Sequence, residues 1–360
     1  MRIGIDVSMI DKNKAGIGYY AFSLVKALNT IDSVNEYFLF TYDKELLNEL
    51  QLRSNFKIIE VPGSGNLKWM VKCLSSIKEL NLNHFLSPSN LFWGCVLNNC
   101  TTVIHDIGQI LYPKFFYKKG NLIYKFELNI LLRKKGIVIV PSNCVKRELI
   151  STFKFIKSAV FVIKEGLHEW VFKKYTDEDK ANVINKYNLP EDYILSVGTL
   201  EPRKNLVQSI LGFKEFLKLN PSFKYLIVGK KGWFYDEILE IVQKSNLEDN
   251  VKFLGYVPDS DLPVIYDNSQ LLILLSHYEG FGLPLIEATA RNVPVLASNI
   301  DVFNELDINS LNISLNSTPE EIGIFIDKAI AQPVKVNDSF FDTYSWKSTA
   351  QEFINMWESK

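Results

Sequence analysis

Two glutamates, Glu279 and Glu287, stand eight positions apart in the segment SHYEGFGLPLIE, residues 276–287. The apolar run before them, residues 271–275, predicts a buried parallel strand, and the glycines of the segment allow a tight turn. The proline suits the first turn of a helix, which places Glu287 about one turn into that helix. Carboxylates that accept from hydroxyls, next to helix N-terminal amides that favour anions, predict a site for a sugar joined to phosphate.

A second candidate anion site lies in the segment GTLEPRKN, residues 198–205. It follows an apolar strand, begins with Gly198 and opens a helix with two adjacent cations, Arg203 and Lys204. Cations at a helix N-terminus oppose the helix dipole, so their presence there indicates an anionic partner. Arg203 can hold a diphosphate through two parallel hydrogen bonds, and Lys204 adds a compact charge.

Together these segments resemble the glycosyltransferases of family 4, which are retaining enzymes with the GT-B fold. The first matches the Glu-x7-Glu motif of that family and the second matches its Arg-Lys diphosphate clamp. The resemblance covers nearly the whole chain, with the motifs in family order. It implies transfer of a hexose, mannose or similar, from a nucleoside diphosphate sugar. A GDP-sugar is the favoured donor, and a glycan or lipid-linked oligosaccharide in surface polysaccharide synthesis is the expected acceptor.

The resemblance also implies roles for these side chains. Glu279 would hold hydroxyls of the donor sugar, and Glu287 would accept from the hydroxyls of ribose. Arg203 and Lys204 would stabilise the charge that grows on the departing diphosphate, so that no carboxylate has to act as a nucleophile. The further donor-binding residues are Gly16, Gly18, Gly198, Lys230, Tyr256, Val257, Gly280, Phe281, Gly282 and Leu283.

His105 and Asp106 follow another apolar strand, in the segment TVIHDI, residues 102–107. Ligands of open α/β sheets bind outside the carboxyl ends of the strands. A lone histidine at the end of a strand often has a purely structural role as a hydrogen-bonding group. The resemblance implies instead that His105 approaches the donor sugar. Both residues are therefore candidate catalytic residues. Asp106 either orients the imidazole or binds acceptor, and the sequence does not choose.

Short apolar strands alternate with amphipathic helical segments along the chain, seven strands before residue 166 and six after it, the pattern of parallel α/β layers. We predict a GT-B fold, in which two doubly wound Rossmann-like domains face a central cleft. Residues 1–168 would form the N-terminal acceptor-binding domain, and residues 169–343 the C-terminal domain that binds the nucleotide sugar. By the same resemblance, the C-terminal helix 344–360 would cross back onto the first domain.

The composition is typical of a globular protein: 360 residues, 47% hydrophobic, with a net charge of −1. We identify neither a signal peptide nor an apolar run long enough to span a bilayer, and expect a cytoplasmic protein. The four cysteines and four histidines show no ligand spacing, so we expect no essential metal. Asp259-Ser260-Asp261 spells an Asp-x-Asp metal motif, but its place before a helical stretch favours N-capping.

Charge is distributed unevenly along the chain. Residues 1–165 carry 22 basic and 13 acidic side chains, and residues 166–360 carry 18 basic and 28 acidic. Between residues 114 and 135, Glu127 is the only acid among seven cations, and aromatic residues are interleaved with them. The cations are Lys114, Lys118, Lys119, Lys125, Arg133, Lys134 and Lys135. This stretch predicts either contact with an anionic membrane surface or a solvated helix over the core. No nucleic-acid module is recognisable, so no nucleic-acid partner is expected.

Two other function classes share the predicted fold. A GT-B sugar-nucleotide epimerase or a phosphorylase would share the anion site, although no lysine is marked for the pyridoxal cofactor of a phosphorylase. A non-catalytic polysaccharide-assembly subunit would normally have lost part of the donor site. Here Arg203, Lys204, Glu279 and Glu287 are all present, which favours a transferase.

Overall fold

The structure is a computed structural model, and it describes residues 1–11, 16–306 and 308–359, without the side chains of Lys118 and Lys119. The chain divides into two compact units. Unit 1 comprises Met1–Gly166 and the residues from Asp342 onward, and unit 2 comprises Leu167–Phe341. The division after Gly166 lies two residues before the domain boundary that the sequence predicts.

Unit 1 is built on a seven-stranded parallel sheet with the order β3-β2-β1-β4-β5-β6-β7. Most of its strands are buried, as expected where helices cover both faces of a parallel sheet. The strands are β1 (Arg2–Asp6), β2 (Glu36–Thr41), β3 (Phe56–Glu60), β4 (His84–Ser87), β5 (Cys100–Val103), β6 (Ile137–Val140) and β7 (Ala159–Val162).

The helices of unit 1 bury one apolar face against this sheet. They are α1 (Ile17–Ile31), α2 (Leu67–Glu79), α3 (Leu91–Val96), α4 (Gly108–Leu111), α5 (Lys118–Arg133) and α6 (Asn143–Thr152). Ser142 caps α6 by accepting from the Val145 amide. After the short α14 (Phe340–Thr343), the C-terminal helix α15 (Trp346–Glu358) packs against α1. Its residues Trp346, Phe353 and Trp357 belong to the core of unit 1.

Unit 2 repeats the architecture with six parallel strands in the order β10-β9-β8-β11-β12-β13. The strands are β8 (Tyr193–Val197), β9 (Lys224–Val228), β10 (Val251–Gly255), β11 (Leu271–Leu274), β12 (Val295–Ser298) and β13 (Leu311–Ile313). The helices are α7 (Asp177–Tyr187), α8 (Leu206–Leu217), α9 (Asp236–Lys244), α10 (Leu262–Asp267), α11 (Leu283–Ala290), α12 (Asp301–Glu305) and α13 (Pro319–Ile330).

In each sheet the strand order reverses at one point, between β1 and β4 in unit 1 and between β8 and β11 in unit 2. Loops that leave adjacent strands on opposite sides of such a point open a crevice at the carboxyl edge of the sheet. In unit 2 the loop after β8 carries Arg203 and Lys204, and the loop after β11 carries Glu279. The topology therefore brings the two predicted anion-site segments together.

The ends of β8 and β9 approach each other closely. The Gly198 amide donates to the carbonyl of Val228 at 2.9 Å, and Gly229 has φ +153°. A Cβ atom on Gly229 would lie 1.8 Å from the carbonyl oxygen of Gly198. Only glycine fits there, so the start of the loop that carries the cations is fixed by backbone contact.

We expect Gly229→Ala to destabilise unit 2 by roughly 2–5 kcal/mol, because the new methyl group meets backbone at a φ unfavourable for alanine. Gly120→Ala is the matched control. Gly120 lies in α5 with nothing within 4 Å of its Cβ position, and alanine is the better helix former by about 1 kcal/mol. Urea denaturation of the two variants measures the difference. Equal stability of both would contradict the close approach.

Candidate active site

Both cations of the predicted clamp lie in the 3-10 turn Pro202–Lys204, after β8. The Arg203 guanidinium donates from Nε and Nη2 to Oε1 of Glu201, at 2.9 and 2.6 Å. Its Nη1 donates to Oε2 of Glu279 at 2.7 Å. The Lys204 ammonium donates to Oε1 of Glu279 at 2.6 Å. Two cations and two carboxylates therefore form one ion-pair network across the point where the strand order reverses.

This network is nearly withdrawn from solvent. The side chain of Arg203 is 14% exposed and that of Lys204 is 11% exposed. Burial alone would raise the pKa of Glu279, but the charges of Arg203 and Lys204 and the hydroxyl of Ser276 lower it to about 2. The pKa of Glu201 is raised, since burial outweighs the same two cations. Glu279 is therefore anionic at neutral pH.

Glu287 lies in the second turn of α11, which begins at Leu283 after Gly282 with φ +113°. Its carboxylate is buried and does not join the network around Arg203. Oε1 of Glu287 lies 2.8 Å from Nδ1 of His168, and Oε2 accepts from the Tyr266 hydroxyl at 2.9 Å. The ring of Trp170 stacks on Tyr266, with centroids 5.6 Å apart. The second glutamate of the motif thus has its own set of partners.

The other predicted donor residues of unit 2 lie at the carboxyl ends of β9 and β10 or in the turn before α11. The ammonium of Lys230 lies 5.0 Å from the centroid of the Tyr256 ring. Tyr256 is partly exposed, whereas Val257 is buried. Phe281, between Gly280 and Gly282, is also buried, so its contribution to a ligand site would come from its backbone.

In unit 1, Gly16 precedes α1 and Gly18 lies in its first turn. His105 follows β5 and is held on both sides. Its Nε2 lies 2.9 Å from the carbonyl oxygen of Pro88, which requires a proton on Nε2, and its Nδ1 lies 3.0 Å from Oε1 of Glu165. Both ring nitrogens are thus committed to protein partners.

The partner of the His105 ring corrects one interpretation of Asp106. The carboxylate of Asp106 accepts from the Gly108 amide at 2.8 Å, and Glu165 is the acid that contacts the ring. Burial favours the neutral imidazole, but the hydrogen bond and charge of Glu165, with smaller contributions from Pro88 and Asp106, raise the pKa of His105. Asp106 orders the loop before α4 and does not orient the imidazole.

Two further interpretations are corrected. Asp261 precedes α10, but its carboxylate does not cap the helix. It accepts from Lys186 and Tyr187 at 2.6 and 2.8 Å, because these charged and hydroxyl donors from α7 compete successfully with the backbone amides.

Lys134 does not belong to a free basic face either. Its ammonium donates to the carbonyls of Cys95 and Leu97, at the C-terminal end of α3, at 2.9 Å each.

Five side chains of these clusters were not identified from the sequence: Glu165, His168, Glu201, Tyr266 and Ser276. Glu201 and Ser276 lie inside the two motifs, close in sequence to Arg203 and to Glu279. That closeness could have identified them as partners of these residues. Glu165 lies 60 positions from His105, and nothing in the spacing connects them. The same holds for His168 and Glu287.

In the part of the chain that the structure describes, no three His, Cys, Asp or Glu side chains are grouped to hold a metal ion. Among the described helices, none has the length and apolarity needed to cross a membrane.

Several known proteins are similar to this chain in sequence. The family model described as glycosyl transferases group 1 matches residues 162–331. The O-antigen chain mannosyltransferase RfbU of Salmonella typhimurium is 30% identical over 319 residues, which are 85% of this chain and 84% of that protein. The O-antigen chain mannosyltransferase B of Escherichia coli is 26% identical over 311 residues, 81% of this chain and 80% of that protein.

A solved structure has the same fold over the whole chain. The crystal structure of Anabaena Alr3699/HepE in complex with UDP and glucose superposes with a TM-score of 0.76 and 17% identity, covering 100% of both chains. Likeness at this identity is evidence of fold alone. It confirms the predicted GT-B class, with two Rossmann-like domains on parallel sheets of seven and six strands.

Arg203→Ala should destabilise unit 2 by roughly 3–5 kcal/mol. The carboxylate of Glu201 and the Oε2 atom of Glu279 would then remain buried without the cation that pairs with them. Adding Glu201→Gln should recover part of that loss. Lys218→Ala is the control. The exposed ammonium of Lys218 pairs with the half-buried Glu215, and its loss should cost less than about 1 kcal/mol. Urea denaturation of the four proteins, wild type included, gives the comparison. A loss for Arg203→Ala no larger than for Lys218→Ala would refute the buried network.

His105 should titrate above its usual pKa of 6.5. A raised folded pKa means that the protonated ring stabilises the fold fully below 6.5, and that this stabilisation is lost as pH rises through the folded value. Glu165→Gln should lower the pKa, since burial then prevails, and Asp106→Asn should lower it less. Histidine ring NMR titrations, assigned with His105→Gln, measure both. Equal shifts in the two variants would contradict the pairing with Glu165.

Proposed function

Because this chain belongs to the glycosyl transferases of group 1, we propose that it moves a hexose from a nucleoside diphosphate sugar to a glycan or a lipid-linked oligosaccharide. Mannose is the favoured sugar and a GDP-sugar the favoured donor, since two relatives matched over most of their length are O-antigen chain mannosyltransferases. Their names also support a role in surface polysaccharide synthesis. UDP-sugars are the alternative donors, because the solved relative binds UDP.

The observation that carries this proposal is the network of Arg203 and Lys204 with Glu201 and Glu279. In glycosyl transfer the bond from the anomeric carbon to phosphate oxygen breaks, and negative charge grows on the departing diphosphate. Donors already fixed in place stabilise that charge without reorganisation at the moment of reaction. Glu201 and Glu279 hold the two cations in position before any ligand arrives.

Glu279 is suited to a second role toward the donor sugar. A carboxylate has about four lone-pair sites, and Lys204, Ser276 and Arg203 occupy three of them here. One site on Oε2 is left for a sugar hydroxyl. Since its three protein donors hold the carboxylate anionic and fixed, we assign Glu279 to orienting the hexose and not to nucleophilic attack. Retention would then follow from attack on the same face as the leaving phosphate, with that phosphate taking the acceptor proton.

The remaining donor contacts follow from the positions of the side chains. The N-terminus of α11, with the backbone of Gly280–Leu283, is suited to the diphosphate oxygens. Glu287, oriented by Tyr266 and His168, is suited to the ribose hydroxyls. Lys230, Tyr256 and the backbone at Val257 are assigned to the base, so that unit 2 is the donor domain.

We assign the acceptor to unit 1, with Asp106 as one of its contacts, and keep Gly16, Gly18 and His105 as the predicted donor contacts. Because both ring nitrogens of His105 have protein partners, its role would be that of a fixed positive charge and not of a general base. We further propose a cytoplasmic enzyme that needs no metal, because Arg203 and Lys204 supply the positive charge at the diphosphate. The basic stretch 114–135 would bring it to an anionic membrane that holds the acceptor.

The other two function classes are not favoured. The relatives matched over most of the chain are named as transferases, which supports neither an epimerase nor a non-catalytic assembly subunit. Arg203, Lys204, Glu279 and Glu287, which bind a donor in the proposal, are all present in this chain.

Thermal unfolding with GDP-, UDP-, ADP- and dTDP-sugars, in EDTA, tests the donor. A ligand that binds only the folded chain at 100 times its Kd stabilises it by about 2.7 kcal/mol. We expect GDP-mannose to raise the Tm of the wild type. Lys204→Met should weaken that binding roughly 10- to 100-fold, through loss of a charge-assisted hydrogen bond. The control is Lys214→Met, an exposed cation of α8, which should bind as the wild type does.

Transfer to acceptor is then followed by NMR of the product, with an α-linked product expected from the α-linked donor. Stabilisation by a UDP-sugar in place of GDP-mannose would overturn the donor assignment and leave the transferase assignment standing. Stabilisation by none of the four, or an absolute need for added divalent metal, would refute the site as described.

A further inference from the structure

The solvent-facing side of helix α5 carries large apolar side chains. Leu122 is 73% exposed, Ile123 61% and Phe126 66%. Leu122 and Phe126 are one helical turn apart and lie on the same stripe. Leaving this much contiguous apolar surface in water is unfavourable, so such a patch on a folded unit marks a surface that meets something apolar.

A cavity of about 260 Å³ lies beside this apolar ridge, formed by Leu122, Ile123 and Phe126. One wall comes from α5 and the other from the segment after α6. Three cations line it, Lys125, Arg133 and Lys154, and its described lining residues include no acid. Phe155 stands at its edge, 69% exposed, with the Arg133 guanidinium 6.0 Å from the ring centroid.

The charges around this cavity are not neutralised within the described part of the chain. None of the three cations forms an ion pair there with a carboxylate, and Glu127, the acid of α5, does not line the cavity. Three like charges around one space repel each other, and an anion placed among them relieves that repulsion. Since a water molecule takes about 30 Å³ in the liquid, the cavity is large enough for a phosphate group.

We propose that this cavity binds the phosphate of an anionic phospholipid headgroup, with Leu122, Phe126 and Phe155 entering the boundary between headgroups and acyl chains. A soluble polyanion would use the cations but would leave the apolar ridge in water, whereas a bilayer surface satisfies both. The inference rests on the proposed function in one respect, because a lipid-linked acceptor gives the enzyme a reason to be at a membrane.

This surface differs from the basic stretch that the sequence indicates. Lys134 is excluded, since its ammonium binds the carbonyls at the end of α3. Lys154 and Phe155 are added, although they lie outside residues 114–135. The pocket is thus formed by two segments that are apart in the sequence and adjacent in the fold.

Vesicle co-sedimentation tests the proposal. The full chain is mixed with vesicles of phosphatidylcholine alone, or of phosphatidylcholine with 30 mol% phosphatidylglycerol, at about 0.1 M and 1 M salt, where the Debye length falls from about 10 Å to 3 Å. We expect binding only to the anionic vesicles at low salt. Lys125→Gln/Arg133→Gln/Lys154→Gln should lower the partition coefficient on the order of 100-fold, since each cation near such a surface contributes about fivefold.

Helix α2 provides matched controls in the same unit. Lys68→Gln/Lys72→Gln/Lys78→Gln removes the same three charges elsewhere and should leave binding within a few-fold of the wild type. Leu122→Ser/Phe126→Ser should abolish binding that survives at intermediate salt, and Leu67→Ser/Val71→Ser, with the same spacing on α2, should not. Equal losses from the α5 and α2 variants would overturn the proposal, as would tight binding to soluble polyphosphate without binding to vesicles.

A separate readout keeps this inference distinct from the proposed function. Donor stabilisation by GDP-mannose, and transfer to a water-soluble acceptor without vesicles, should be unchanged in the Lys125/Arg133/Lys154 variant. Loss of vesicle binding with intact transfer would support both. Intact vesicle binding in that variant would remove the headgroup pocket and leave the transferase assignment untouched.

Discussion

The candidate active site of unit 2 depends on the ion pairs that join the loops after β8 and β11. A guanidinium and an ammonium withdrawn from water are costly unless carboxylates meet them in good geometry. Arg203 satisfies this condition with Glu201 from its own loop and Glu279 from the neighbouring loop. The two loops are adjacent because β8 pairs with β11 where the strand order reverses. Sheet topology and charge pairing therefore fix the same point, and the cations are oriented before any ligand is present.

The other candidate residues also have protein partners that meet their buried polar groups in good geometry. Glu287 is held by Tyr266 and His168, and His105 is held by Glu165 and a backbone carbonyl. In each case the group predicted to meet a ligand has a protein partner that sets its orientation. These partners come from other elements, so each cluster also ties loops of one unit together. A ligand entering such a site meets groups whose positions are already determined, which lowers the reorganisation needed for chemistry.

The strands and the two motifs of unit 2 could be predicted because their signals are local. Buried parallel strands are continuous apolar runs, as in Ile137–Val140, and the turn before α11 is marked by glycines and a proline. The pairing of His105 with Glu165 could not be predicted, since it depends on how β5 and β7 lie in the sheet. In the sequence, Lys134 likewise has the features of a surface cation. Its contact with the end of α3 depends on the fold and could not be predicted. Local pattern fixes which residues face a sheet edge, whereas long-range packing decides which of them meet.

Helix α15 comes after all of unit 2 in the chain, yet Trp346, Phe353 and Trp357 complete the core of unit 1. Unit 2 is continuous in sequence, so every residue of its core is available once about residue 341 has left the ribosome. During synthesis unit 1 is begun before unit 2 and completed after it, because Trp346, Phe353 and Trp357 emerge only after the residues of unit 2. Its α1 face must remain uncovered while the intervening residues are made. The order in which the two units can become stable is thus the reverse of their order in the chain.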